Sequence, residues 1–276
     1  MSVLRVAGGQ FSPGENRDRN VTAISDLVRR ATAAGAGILV LPEYASYFEA
    51  AFTSEFVRCS EPLEGPFVTA MQGLAERNGI VIVAGMNERV DGEPRFHNTL
   101  VAVGAPGLLG VYRKVHLFDA FGHRESDLER PGDPAQAVVI DVDGVRVGLQ
   151  TCYDLRFPES TRRLADADAQ LVVVPAQWVP GPLKEHHWAT LLAARAIENT
   201  SYVLGVGQSA PNGTGRSMLV DPMGVVLAGV GTGPGLLIGE VDPAELERTR
   251  TVNPALGLRR LHVEPGAPGA GRPTAG

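Results

Sequence analysis

Only two cysteines occur in the 276 residues, Cys59 and Cys152, far apart and in unlike surroundings. A disulfide framework and a paired-cysteine metal site are therefore excluded, and at least one thiol is expected to be free. No stretch approaches the ~18 uncharged apolar residues that a membrane-spanning helix needs. The start, MSVLRVAGGQFSP, has neither a basic n-region nor a long apolar h-region. The expectation is a cytoplasmic protein with no membrane partner. A basic block is missing too: the formal net charge is -6, with both signs interspersed, so nucleic acid is not an expected partner. Lysine is scarcer still. Of 25 basic residues only Lys114 and Lys184 are lysines, which makes arginine the default cation. A lysine kept among arginines marks a place that needs a compact ammonium in place of a wide planar fork. That reading attaches to Lys114, whereas Lys184 is read as chance.

What is present is a mixed α/β rhythm in a chain long enough for one large domain. Leu4 to Gly9 reads as a short buried strand, and Asn16 to Ala34 places Val21, Ile24, Leu27, Val28 and Ala31 on one helical face. Gly37 to Leu41 is an unbroken apolar run, as in a strand covered on both sides, and Pro42 ends it just before Glu43. A helix is predicted over Gly65 to Asn78, and strands over Ile80 to Ala84, Thr99 to Val103 and Leu108 to Tyr112, the last leading to Lys114. Asp143-Gly144 joins Val138 to Val142 with Val145 to Leu149 as a hairpin, and the second strand runs into Thr151-Cys152. Helices follow over Pro158 to Ala167 and Glu185 to Asn199. Further strands follow over Leu171 to Val174, Tyr202 to Val206, Met218 to Val220, Val225 to Ala228 and Leu236 to Ile238. The domain is placed at residues 1–263, and 264–276, rich in Pro and Gly, as a loose tail. No internal repeat is evident.

Three reactive side chains, Glu43, Lys114 and Cys152, each follow an apolar strand-like run, and ligand sites in open α/β sheets gather at strand carboxyl ends. Each alone has a bland explanation, since buried cysteines mostly pack and lysines or carboxylates near strand ends are mostly solvated. Together they make chemical sense. An ammonium favours a thiolate, a carboxylate can accept the thiol proton, and an attacked carbonyl needs donors for its oxyanion. The Lys114 ammonium and the Tyr153 backbone N–H are the candidate donors.

The contexts are specific. LPEY around Glu43, YRKVHLFD around Lys114 and CYDLRFPE from Cys152 resemble the three signatures of the nitrilase superfamily of carbon-nitrogen hydrolases. The segments HHWATLLAARAIEN (186–199) and GTGRSMLVDPMG (213–224) are similar to later blocks of its Nit-type amidases. The resemblance implies a four-layer αββα sandwich, extended across the interface of a homodimer or larger homo-oligomer. It implies that Cys152 is nucleophile, Glu43 general base and Lys114 stabiliser of the tetrahedral intermediate. Glu125, in HRESD, resembles a second family glutamate that orients substrate or lysine, against the alternative of a solvated loop carboxylate. No metal or organic cofactor is implied.

Tyr153 stands where true nitrilases carry tryptophan, which favours an amide over a nitrile. The resemblance is to enzymes that cleave omega-amides of dicarboxylates, such as alpha-ketoglutaramate, or deaminated glutathione, to acid and ammonia through a thioester. Arg156 could then hold a substrate carboxylate, or pair with Asp154 or Glu159. Trp178 and Tyr44 are further candidate contacts. Pro175-Ala176-Gln177-Trp178 departs from the usual Nit pattern, which leaves N-carbamoyl compounds and aliphatic amides as alternative substrates. Competing readings are a thiol–histidine pair of Cys152 with His187 or His116, a metal site with His116 and His123, and a non-catalytic binding or signalling module.

Overall fold

The computed structural model describes residues 2–264; the predicted tail therefore lies almost wholly outside the described residues. The strands are β1 (Leu4–Gln10), β2 (Ile38–Val40), β3 (Val81–Arg89), β4 (Phe96–Gly104), β5 (Gly107–Arg113), β6 (Val139–Val142), β7 (Val145–Leu149), β8 (Leu171–Ala176), β9 (Tyr202–Gly207), β10 (Met218–Val220), β11 (Val226–Gly229) and β12 (Gly235–Val241). The helices are α1 (Arg17–Ala33), α2 (Glu55–Arg58), α3 (Pro66–Asn78), α4 (Pro158–Asp166), α5 (Lys184–Asn199) and α6 (Pro243–Val252). Two six-stranded sheets result, ordered β12-β1-β2-β3-β4-β5 and β11-β10-β9-β8-β7-β6. In each, three parallel strands are flanked by antiparallel ones.

Strand periodicity explains the layering, because successive side chains point to opposite faces. In β2, Ile38 and Val40 enter the layer between the sheets, while Leu39 packs with α1 and α3. In β8, Leu171 and Val173 face the same inter-sheet layer, while Val172 and Val174 pack with Trp188 and Leu192 of α5. Helices outside, sheets within, gives the four-layer αββα sandwich. Each fully buried aliphatic side chain contributes about 1.5–3 kcal/mol relative to exposure. An aspartate at Val173, which is wholly buried, would place an unpaired charge in that layer and break it.

The strands β7 and β10 have the predicted bounds, and α1, α3, α4 and α5 differ from expectation by one or two residues. The strand β4 begins three residues early, β12 ends three residues late and the helix α2 went unpredicted; three other features differ as well. β3 runs on to Arg89 because its polar end is satisfied: Glu88 receives Arg113 Nε and Nη2 at 2.7 and 2.6 Å and the Thr99 hydroxyl at 2.7 Å. The helix α6 went unpredicted, although Asp242, whose side chain accepts from the Ala244 N–H, and Pro243 at the first turn form a start signal. Finally, the two halves of the chain share a strand plan that no sequence repeat announces.

Candidate active site

The segment joining the two sheets, residues 114–138, runs across the same end of the molecule as the carboxyl ends of β2, β7 and β8. Pro42, which has no N–H to continue a ladder, ends β2, and Tyr44 with φ +57° turns the chain away after Glu43. The turn needs Gly85 of β3 beneath it. A Cβ there would lie 2.6 Å from the Tyr44 nitrogen and 2.7 Å from Glu43 Cα. After β7, Cys152 opens a 3-10 turn (Cys152–Arg156) with φ +44°. A non-glycine residue held in this region costs about 1–3 kcal/mol and persists where its surroundings over-determine it. Here Asp154 anchors the turn, accepting from the Thr151 N–H at 3.0 Å, the Tyr112 hydroxyl at 2.6 Å and the His116 N–H at 3.0 Å.

Lys114 sits between two carboxylates. Its Nζ donates to Glu43 Oε1 at 2.9 Å and to Glu125 Oε2 at 2.7 Å, and its side chain is fully buried. Glu43 also accepts from Asn98 Nδ2 at 2.8 Å and, on Oε2, from the Gln177 backbone N–H at 2.5 Å. Glu125 accepts the Phe118 N–H at 2.6 Å. It is therefore no solvated loop carboxylate. Burial opposes the Lys114 charge, but Glu125 and Glu43 outweigh it and push the ammonium well above its ordinary value. For Cys152, burial and then the Glu43 carboxylate push the thiol well above its ordinary value against the pull of Lys114. The Cys152 thiol itself donates to the Gln177 carbonyl oxygen at 3.7 Å.

The cleft over Cys152 has two lobes. A narrow inner lobe is lined by Phe118, Cys152, Tyr153, Arg156, Trp178 and Lys184, among others. A wider outer lobe shares Phe118, Glu125, Gln177 and Val179 with it and adds Tyr44, Glu49, His123, Arg124 and Asn212, among others. Arg156 and Trp178 both reach the inner lobe, with the guanidinium 4.9 Å above the indole. Arg156 pairs with neither Asp154 nor Glu159, and its Nε is buried without a partner among the described residues. Tyr44 lines the outer lobe, but its hydroxyl donates to Glu129 Oε1, leaving only the ring for contact. The Tyr153 ring packs on Phe118 and Phe157.

The histidine readings fare differently. His116 Nδ1 lies 2.8 Å from Asp154 Oδ1, its ring stacks on Phe157, and it lines another cavity. His187 Nδ1 lies 3.3 Å from Arg156 Nη2. Among the described residues no group of three His, Cys, Asp or Glu side chains is placed to hold a metal. Sequence reasoning passed over Lys184, Gln177 and Asn98. Lys184 carried a signal, being one of two lysines, while Gln177 acts through its backbone and left none.

Comparison with known proteins bears on this arrangement. A family model described as carbon-nitrogen hydrolase matches residues 5–251. The chain belongs to the carbon-nitrogen hydrolase family. The hydrolase is 37% identical over 259 residues to a deaminated glutathione amidase of Escherichia coli O157:H7, covering 94% of this chain and 98% of that protein. Its fold is similar to that of Saccharomyces cerevisiae Nit3, a member of branch 10 of the nitrilase superfamily. The TM-score is 0.82 at 26% identity, over 94% of this chain and 97% of that one. It is also similar to a mutant amidase from Nesterenkonia sp. AN1 that carries the acetamide moiety of fluoroacetamide at its active-site cysteine. There the TM-score is 0.76 at 27% identity, over 93% and 94% of the two chains. The protein is a cysteine-dependent amidohydrolase acting on carbon-nitrogen bonds other than peptide bonds. A non-catalytic module is no longer the reading.

Proposed function

We propose that the hydrolase cleaves small linear amides whose acyl part bears a carboxylate, with Cys152 as nucleophile, Glu43 as general base and acid, and Lys114 as electrostatic stabiliser. The observation that carries the reading is the Lys114 ammonium fixed between Glu43 and Glu125 beside the Cys152 thiol. Glu43 takes the thiol proton as Sγ bonds to the amide carbon, and the carbonyl oxygen becomes an oxyanion facing Lys114 and the Tyr153 N–H. The C–N bond then breaks, with the proton passing from Glu43 to the leaving nitrogen, and a thioester remains. Water gives a proton to Glu43 and adds to the thioester; the C–S bond breaks and the thiol is restored. Glu125 holds the ammonium in line, so that it need not reorganise as charge develops.

Substrate class follows from the inner lobe, where Arg156 meets no carboxylate among the described residues. An omega-amide of a dicarboxylate places its amide at Cys152 and its carboxylate at Arg156. Deaminated glutathione, the substrate in the name of the Escherichia coli relative, adds a requirement. Its amides are secondary, so the leaving group is an amine rather than ammonia, and the outer lobe has room for it. The enzyme acts in this reading as a cytoplasmic homodimer. Exposed Ile197, Met223 and Val225, brought near each other where Gly224 abuts Ile197, support self-association.

The test is product release by wild type and Cys152→Ala on alpha-ketoglutaramate, deaminated glutathione, simple amides, carbamoyl amino acids and nitriles. Wild type should be fastest on a carboxylate-bearing amide, and Cys152→Ala should fall by about 10⁴-fold or more. A preference for carbamoyl compounds or nitriles would replace the substrate class. Turnover by the alanine variant within tenfold of wild type would remove the thiol from the mechanism.

A further inference from the structure

The inner lobe carries two cations and no anion available to them. Lys184 begins α5 and is 7% exposed, yet among the described residues it makes no ion pair. Its Nζ lies 4.0 Å from the centre of the Phe121 ring and 4.9 Å from that of Phe118, so aromatic faces stand in for a counter-charge among the described residues. Arg156 beside it rests on Trp178 and meets a ring nitrogen of His187. The carboxylate that does reach this lobe, Glu125, is engaged by Lys114 and the Phe118 N–H. Burial, and after it the adjacent Arg156, pull the Lys184 ammonium below its ordinary value. Two like charges line one lobe without a carboxylate partner among the described residues.

We infer that Lys184 is a specificity-determining residue that, with Arg156, reads the charge on the substrate carbon next to the carboxylate. The pair accepts an alpha-keto or alpha-hydroxy acid head and repels the same skeleton carrying an alpha-ammonium group. This rests on the reading of the site as an omega-amidase and deepens it. Cys152, Arg156 and Lys184 line the same lobe, so a short acyl chain with its amide at Cys152 places its alpha-carbon near these cations. A carboxylate with a neutral neighbour relieves their repulsion, whereas a zwitterionic head brings a third cation. At a separation of a few ångströms and an intermediate effective dielectric, that repulsion discriminates by about 10- to 100-fold. Rejection here works by a clash of charge, not of shape, since an amino and a hydroxyl group are nearly equal in size.

The experiment compares kcat/KM for alpha-ketoglutaramate and for glutamine in wild type, Lys184→Met, Lys184→Glu and Lys184→Arg. The Trp178 indole N–H bonds the Lys184 carbonyl, at 2.8 Å, not its side chain, so the substitutions leave that contact in place. Thermal melts check each variant, and the arginine variant serves if the others do not fold. The keto-to-amino preference should fall about 10-fold or more in Lys184→Met, fall further in Lys184→Glu and persist in Lys184→Arg. An unchanged preference in Lys184→Met, or its loss in Lys184→Arg, overturns the inference while leaving the omega-amidase reading intact. Wild type that cleaves simple amides but neither of these two overturns both.

Discussion

Two charged regions meet at Cys152 and are built on opposite plans. Behind the thiol, Lys114 is bonded to Glu43 and Glu125 before any substrate arrives. In the inner lobe, Arg156 and Lys184 have no carboxylate partner among the described residues. The first plan suits chemistry, where donors must already point at the charge that develops. The second suits recognition, where the missing counter-ion is the ligand. A buried cation with partners holds the fold together, while one without partners stores an imbalance that binding relieves.

Lys114→Met should break the comparison on its paired side. It leaves Glu43 and Glu125 buried and facing each other without a counter-ion. A loss of about 3–5 kcal/mol in urea unfolding and of about 10³-fold in kcat is expected. A variant as stable as wild type would mean that the carboxylates are not held by the ammonium. Arg156→Met tests the unpaired side. KM for carboxylate-bearing amides should rise about 10- to 100-fold, with stability changed by less than about 1 kcal/mol because no ion pair is lost. A stability loss as large as that of Lys114→Met would erase the distinction between the two regions.

Glu129 sharpens the comparison most finely, with the smallest effect. It is fully buried, takes the Tyr44 hydroxyl on one oxygen and leaves the other without a partner. Burial, and then Glu125, push its carboxyl well above the ordinary range. Because the folded value exceeds the unfolded one, the native state holds more protons than the unfolded chain above the unfolded pKa. Its contribution to stability is therefore full at low pH and is lost as pH rises toward the folded value. Glu129→Gln should thus gain on wild type in urea midpoint between pH 5 and pH 8. A difference that is flat or of opposite slope would show that Glu129 is ionised in the native state.

The strands and most helices were legible because their signals are local. Apolar runs such as Ile38–Val40 and the hairpin at Asp143-Gly144 need only neighbours in sequence. The paired cluster was legible through its motifs, since Glu43, Lys114, Glu125 and Cys152 each lie in a distinctive short context. The inner lobe was only half legible. Arg156 shares the Cys152 segment, but Phe118 and the loop carrying Trp178 and Lys184 converge from two other stretches, and no periodicity announces such a meeting. Glu129 gave no signal at all, because nothing in the DLERP that follows the Glu125 motif distinguishes a buried carboxylate from a solvated one.

The hydrogen bond from the Gln177 N–H to Glu43 Oε2 joins a backbone just past β8 to a side chain just past β2. In the mechanism proposed above, neither half of the chain therefore owns a working base. Each sheet could form its own ladders with the inter-sheet layer misaligned by a fraction of an ångström, and circular dichroism would register nothing. The hydrolysis rate would register it, because the geometry of Glu43 depends on both sheets at once. Turnover in this enzyme is thus a gauge of assembly: the last reading to return on refolding and the first to fade when the layers slip.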